Sequence, residues 1–150
     1  IGTDKPKILL EDLVFIGLRS TEAAEEDLIE KGNVRTIRTK EVNKKGIARI
    51  TEEVFEHLSN CDLVYISFDV DSTDSRFSAG TGTPEKHGLS PEQALQLNTS
   101  LVQNPKVICW EMAEINPTLD TNNKMATYGF EVLQNVTEVL EARYVLIITN

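Results

Sequence analysis

Three aspartates stand directly after an apolar segment in the middle of the chain. Residues 63–68 are mostly apolar or aromatic, and Asp69, Asp71 and Asp74 follow at once. A short apolar run of this kind predicts a strand buried on both faces, and open α/β sheets bind ligands at the carboxyl ends of such strands. Asp69 and Asp71 would point the same way if the extended geometry persists, so both could reach one hard cation or a pair of cations. A metal site is one prediction, and an ordinary polar turn is the other.

Two further loop chemistries fail on spacing. Counted from Asp69 as the first position of a calcium loop, the sixth position is Asp74 rather than glycine, and the twelfth is Gly80 rather than glutamate. The segment 80–83 reads Gly-Thr-Gly-Thr, but the Lys-Ser/Thr pair of a phosphate-binding loop does not follow it. Neither a calcium loop nor a phosphate loop is therefore expected.

The elements that must position these aspartates alternate along the chain. Strands are predicted at 13–18, 34–37, 63–68 and 107–110, with helices at 21–31, 47–58, from Ser90 onward, and at 124–141. This alternation predicts the α/β class with a mainly parallel sheet. Ser90 can cap the helix that follows it, Pro91 fits the first helical position, and Gln93 can complete a capping box. Residues 144–148 fit either a last strand or a packed tail.

Composition limits the function classes. The chain of 150 residues is 40% hydrophobic, which suits one globular domain, and its net charge of −9 argues against nucleic acid as a partner. Its apolar runs are too short to span a membrane, and its first residues lack the apolar segment of a signal peptide. We therefore expect a cytoplasmic protein with no membrane partner. Cys61 and Cys109 are expected to be reduced, buried thiols rather than metal ligands.

Several motifs, taken together, resemble the arginase-type ureohydrolase family (arginase, agmatinase and formimidoylglutamase). Segments 67–71 (SFDVD) and 80–84 (GTGTP) are similar to its signature, and 114–117 (EINP) is similar to its EVNP motif. Segments 16–19 (IGLR) and 41–47 (EVNKKGI) add weaker matches in the same order. The resemblance implies a three-layer arginase-like α/β fold, of which residues 1–150 would form the C-terminal portion of a single domain.

The resemblance also implies roles for individual residues. Asp69 and Asp71 would bind a pair of Mn²⁺ ions that hold a hydroxide, and Glu114 would be the catalytic carboxylate that accepts the substrate guanidinium. Thr83 would line the substrate pocket, and Glu22 would contact the amino-acid end of the substrate. The implied reaction converts arginine to ornithine and urea, with agmatine or formimidoylglutamate as alternatives. From the residues alone, Glu114 could also be a solvated strand end, Thr83 a turn former, and Ser20 or Thr21 a helix cap.

The chain departs from the family pattern in its metal ligands. The family's histidine ligand and DAHTD-like segment have no counterpart here, and His57 and His87 match neither position. His57 is expected at the surface, His87 at best on the pocket rim, and Asp74 is expected to brace the loop. A central strand between the first and third strands is also missing. We therefore expect this chain to be inactive by itself, either as part of an intact enzyme that forms trimers or hexamers or as a non-catalytic relative.

Overall fold

The computed structural model describes residues 7–77 and 79–148, and within these ranges strands and helices alternate. The elements are β1 (Val14–Ile16), α1 (Ala23–Lys31), β2 (Arg35–Ile37), α2 (Thr39–Lys45), α3 (Ile47–His57), β3 (Val64–Asp69), α4 (Pro91–Leu101), β4 (Val107–Ala113) and α5 (Lys124–Ile148). Short 3₁₀ turns lie at Leu10–Asp12, Val70–Ser72 and Thr121–Asn123. The α/β class is confirmed. No described helix is both long and apolar enough to cross a bilayer.

The strands form two parallel pairs. Strand β1 pairs with β2, and β3 pairs with β4, as two separate two-stranded sheets in the part of the chain that the structure describes. The parallel pairing is as predicted, whereas the four described strands do not form one continuous sheet. Asp69 lies opposite Ala113 in the register of β3 and β4. The two strands therefore end at the same edge, and the residue after Ala113 is Glu114.

One face of the β3–β4 pair packs on the helices. Phe68 and Trp110 stack with ring centroids 6.3 Å apart, and Tyr128 of α5 meets Phe68 edge-on at 6.4 Å. The indole nitrogen of Trp110 donates to Oδ1 of buried Asn98 on α4 at 2.8 Å, so the polar atoms of this layer are paired. Burial of one large apolar side chain contributes roughly 1.5–3 kcal/mol, which makes this layer the main support of β3.

The opposite face of the same pair is open, contrary to the prediction of a strand buried on both faces. Tyr65 and Ile108 remain 55% and 62% exposed, and Cys109 is exposed rather than buried. Phe15 on β1 is also exposed, and Cys61 is only half-buried. The apolar runs are real, but no described element covers their second face.

The helix predictions agree with the structure except at their ends. Helix α4 begins with the expected capping box of Ser90 and Gln93. Helix α1 is capped at Glu22, not at Ser20 or Thr21. Helix α2 was not predicted because Val42 is its only buried residue, so it has no apolar periodicity. Helix α5 continues through residues 144–148, so the strand alternative for that segment is wrong, and Tyr144 and Val145 are more than half exposed.

Candidate active site

The two aspartates of the signature segment lie together at the end of β3. The extended geometry stops at Asp69, and the next residues form the 3₁₀ turn Val70–Ser72. This turn brings the Asp71 N–H to Oδ1 of Asp69, at 2.9 Å. Thr83 Oγ1 donates to Oδ2 of Asp71 at 2.6 Å. The prediction that Asp69 and Asp71 point the same way assumed an extended backbone, which ends at Asp69. The 3₁₀ turn nevertheless keeps the two residues in contact through the Asp71 N–H and the Asp69 carboxylate.

Electrostatics shows that this place is short of positive charge. Partial burial raises the pKa of Asp69, and the negative charges of Asp71 and Glu114 raise it further. The hydrogen bond from the Asp71 N–H opposes this rise in pKa. Like charges that share a site disfavour ionisation, and a bound cation would reverse that penalty. The like charges at this edge would therefore favour a nearby cation over an anion.

Glu114 joins this group from the end of β4. Its φ of 68° lies in the left-handed region, which is uncommon for residues other than glycine and is found more often at functional sites. A β-carbon placed on Gly82 would lie 3.6 Å from Oε2 of Glu114, so this carboxylate lies beside the loop that carries Thr83. Glu114 is exposed, which leaves it accessible to a substrate.

Asp74 braces the loop that follows these aspartates, as expected. It is fully buried, and its carboxylate accepts from Arg76 N, Nε and Nη2 and from His87 N at distances of 2.7–3.0 Å. Chiefly the Arg76 guanidinium holds the pKa of Asp74 well below its usual range. A β-carbon on Gly88 would lie 2.6 Å from the Asp74 nitrogen, so only glycine lets the backbone at residue 88 pack against the backbone at Asp74. The loop is thus fixed from within.

The structure places the remaining candidates away from these contacts. Glu22 caps α1, and its N–H donates to Oε2 of Glu25 at 2.8 Å. His57 Nε2 lies 2.8 Å from the carbonyl oxygen of Glu11. His87 is exposed with a φ of 66°, and its backbone, not its ring, contacts Asp74. Of the residues proposed from the sequence, Asp69, Asp71, Thr83 and Glu114 come together.

Arg19 is a residue whose role the sequence did not show. Its guanidinium lies among backbone carbonyls at the end of β1 and in the loop after β3, including that of Asp71. The sequence pattern placed Arg19 only in a motif after a strand. Such carbonyl contacts depend on a loop more than 50 residues away along the chain, so local pattern could not have predicted them.

The residues at this edge fit a metal centre in kind but not in number. Carboxylate oxygens suit hard ions such as Mn²⁺. Over residues 7–77 and 79–148, however, no group of three or more His, Cys, Asp or Glu side chains is placed to hold an ion. Asp69 and Asp71 alone cannot complete the coordination of two ions, so no reaction step through metal follows from these residues.

Comparison with known proteins places this geometry in a family. The model of the Arginase family matches residues 3–138. The arginase of Bacillus subtilis (strain 168) is 30% identical over 131 residues, which cover 87% of this chain and 44% of that protein. The structure of the arginase from Bacillus caldovelox aligns with a TM-score of 0.81 at 30% identity, over 88% of this chain and 44% of that one.

A more distant structure shows the fold alone. The formimidoylglutamase from Bacillus subtilis subsp. subtilis str. 168 aligns with a TM-score of 0.80 at 24% identity, over 87% of this chain and 41% of that one. The chain thus spans less than half the length of these relatives. The residues that the family model matches nevertheless include β3, β4 and every residue of the carboxylate site, and the fold is arginase-like. This chain belongs to the Arginase family.

Proposed function

We propose that this chain is the C-terminal portion of a ureohydrolase domain whose intact form hydrolyses a guanidino substrate with Mn²⁺, converting arginine to ornithine and urea. The observation that carries the proposal is the convergence of Asp69, Asp71 and Glu114 at one strand edge, with Thr83 donating to Asp71. This edge gathers negative charge, as sites for metal ions and for a cationic guanidinium both require.

Asp69 and Asp71 are proposed as two of the ligands to Mn²⁺. Both are carboxylates, and the donors from Asp71 N–H and Thr83 Oγ1 fix one oxygen of each. Orientation by such outer contacts is what keeps metal ligands in place. The remaining ligands would come from the N-terminal half of the family fold, as the family resemblance implies.

Glu114 is proposed as the group that receives the guanidinium of the substrate. A carboxylate can accept paired, charge-assisted hydrogen bonds from a planar guanidinium. The exposed side chain of Glu114 and its place beside Gly82 support this role. Thr83 is proposed to line the same pocket. Glu22 remains a proposed contact for the amino-acid end of arginine, although its backbone is engaged in capping α1.

The open face of the β3–β4 pair supports the proposal that the domain is larger than this chain. Tyr65 and Ile108 are more than half exposed, and β1–β2 and β3–β4 do not pair with each other. A strand between β1 and β3, and helices over the open face, would bury these side chains. We also propose a cytoplasmic homo-oligomer, trimer or hexamer, for the intact enzyme on the strength of the family resemblance.

Turnover by a protein that carries the complete domain tests the proposal. Urea release from arginine and agmatine, and formamide release from formimidoylglutamate, would be measured with and without Mn²⁺. We expect Mn²⁺-dependent urea release from arginine, and no turnover by the 150-residue chain alone. Preference for another of these substrates would correct the substrate assignment. Failure to hydrolyse any of them would contradict the catalytic proposal and favour a non-catalytic relative.

Glu114→Gln sharpens the same experiment. Loss of a charged hydrogen-bond partner costs about 1.5–3 kcal/mol, so kcat/KM for arginine should fall roughly 10-fold to 150-fold. Glu131→Gln, at an exposed position of α5, is the matched control and should leave kcat/KM unchanged. Equal effects of the two substitutions would exclude the proposed role of Glu114.

A further inference from the structure

A glycine in α5 makes room for the residue that follows Glu114. Gly129 is the single glycine of this 25-residue helix, and it is buried. A β-carbon placed on it would lie 2.6 Å from Cδ1 of Ile115, and 3.3 Å and 3.4 Å from Sδ and Cε of Met112. Glycine is a poor helix former, so its presence in a helix interior calls for a packing reason. The close approach of Ile115 supplies that reason.

The position of Ile115 matters because its neighbour Glu114 has a backbone conformation that a residue with a side chain disfavours. A φ of 68° brings the β-carbon close to the following carbonyl oxygen. Such a conformation persists only when the surrounding structure holds it. On the N-terminal side it is held by the register of β4, in which Ala113 lies opposite Asp69. On the C-terminal side it must be held by Ile115 and the residues after it.

Two contacts fix the chain just after Glu114. The Asn116 N–H donates to the Gly80 carbonyl at 2.9 Å, which joins this segment to the Gly-Thr-Gly-Thr loop. Ile115 is half-buried and packs against the core, with its Cδ1 in contact with α5 at the glycine. Because Ile115 is β-branched and has few rotamers, a new atom on α5 would displace its backbone as well as its side chain. Such a shift would reach Glu114 through one peptide bond.

We propose that Gly129 is a positioning residue for Glu114: by leaving room for Ile115, it lets α5 hold the left-handed turn that presents the Glu114 carboxylate to a guanidinium. Gly129 does not touch the substrate in this role. The inference rests on the proposed function in one respect, which is the role of Glu114 as the guanidinium acceptor. A packing role alone would affect the whole core, whereas a positioning role predicts an effect centred on residues 114–116.

Hydrogen exchange in this chain tests the structural half of the inference. Gly129→Ala should speed exchange about 10-fold at the Asn116 amide, while the amides of α3 stay unchanged. The double variant Gly129→Ala with Ile115→Val should restore the wild-type rate, because valine lacks the Cδ1 atom that the new methyl group meets. Thr127→Ala, at an exposed position of the same helix, is the matched control for the change in helix propensity. Unchanged exchange at Asn116, equal acceleration throughout the chain, or no rescue by Ile115→Val would overturn the inference.

Arginine binding tests the functional half, in a protein that carries the complete domain. Isothermal titration calorimetry would be run without Mn²⁺, so that turnover does not consume the arginine. Gly129→Ala should weaken binding roughly 10-fold, since a misplaced Glu114 keeps its charge but loses good hydrogen-bond geometry with the guanidinium. Adding Ile115→Val should restore the affinity, and Thr127→Ala should leave it unchanged. Glu114→Gln sets the scale and should weaken binding at least as much as Gly129→Ala.

The two proposals can fail separately. Arginine affinity that depends on Gly129 and is rescued by Ile115→Val, in a protein that hydrolyses none of the three substrates, would contradict the proposed function alone. Turnover by a protein whose wild type and Gly129→Ala variant bind arginine equally well would overturn the role of Gly129 alone. Absence of arginine binding by the wild-type protein would contradict the proposed role of Glu114 and overturn the inference with it.

Discussion

Two groups of carboxylates on this chain have the same chemistry and opposite surroundings. The helix network consists of Arg35, Glu41, Lys45, Arg49 and Glu53 on β2, α2 and α3. The strand-end carboxylates are Asp69, Asp71 and Glu114. In the first group every glutamate contacts at least two cations, whereas in the second the negative charges of Asp71 and Glu114 act on Asp69.

The pKa values follow this difference. Hydrogen bonds from Arg35 and then Lys45 lower the pKa of Glu41 to about 2. Burial and like charges raise the pKa of Asp69 instead. The helix network stabilises the fold, because its ionised carboxylates interact better in the folded chain than in the unfolded one. The raised pKa of Asp69 means that its ionised form disfavours the folded chain instead. The two groups therefore differ in the charges that surround their carboxylates, and acidic residues alone do not mark a site.

The largest expected effect tests the strand-end group by removing one of its charges. Asp69→Asn in the complete domain should lower arginine turnover more than about 100-fold, because loss of a metal ligand exceeds the roughly 10–100-fold cost of an outer contact. In this chain the same substitution should leave the free energy of unfolding unchanged or raise it, because it removes a partly buried charge beside like charges. Urea denaturation with a parallel turnover assay measures both. A clear loss of stability would remove the contrast between the groups.

Asp74 lies in the site region but behaves like the helix network, so it tests whether pairing or location matters. Asp74→Asn should lower the free energy of unfolding by about 2–3 kcal/mol, since it removes a buried carboxylate that binds Arg76 and the His87 N–H. Asp62→Asn, at an exposed position, should change it by less than about 0.5 kcal/mol. Urea denaturation of both variants is the measurement, and equal stabilities would contradict the bracing role of Asp74.

A pH titration of stability examines the helix network. The folded pKa of Glu41 is depressed to about 2, so its contribution is present above its unfolded pKa near 4.5 and is lost as pH falls toward 2. The Glu41 side chain is 26% exposed, and allowance for solvent screening leaves about 1–2 kcal/mol. Glu41→Gln should be less stable by this amount at pH 7 and show a weaker acid dependence. Glu52→Gln is the control, because the Glu52 side chain is 63% exposed. If Glu41→Gln and Glu52→Gln lost stability with falling pH in the same way, the stabilising role of Glu41 would be refuted.

The smallest effect is expected for an ion pair that lies fully in solvent. Lys31 Nζ is 2.6 Å from Asp27 on α1, with side chains 73% and 59% exposed. Lys31→Gln should change the free energy of unfolding by less than about 0.5 kcal/mol, as is usual for exposed pairs. The same denaturation assay measures both variants. If Lys31→Gln lowered the free energy of unfolding as much as Glu41→Gln does, the N–O distance would determine the strength of these ion pairs, and partial burial and additional partners would not.

Local signals in the sequence were sufficient for much of the fold. Ser90, Pro91 and Gln93 specify the start of α4, because capping involves only neighbouring residues. The apolar runs placed all four strands to within a few residues at most. Helix α2 was not predicted because it lacks an apolar face. Its contacts with β2 and α3 include ion pairs, which leave no periodic pattern in the sequence. The exposure of Cys109 was also unpredictable, because it depends on which layers surround a strand and not on the strand's own sequence.

The sequence by itself determined the family and the chemical types of the site residues, because ligand chemistry is a property of the side chains. It placed Asp69, Asp71, Thr83 and Glu114 in recognisable motifs. Only the tertiary structure decided that Asp71 reaches Asp69 through a turn, and that Glu114 arrives at the same edge through the parallel register of β3 and β4. It also decided that Arg19, which follows β1, contacts the loop after β3. The contacts of Glu114 and Arg19 join residues far apart in the chain, and long-range packing alone brings such residues together.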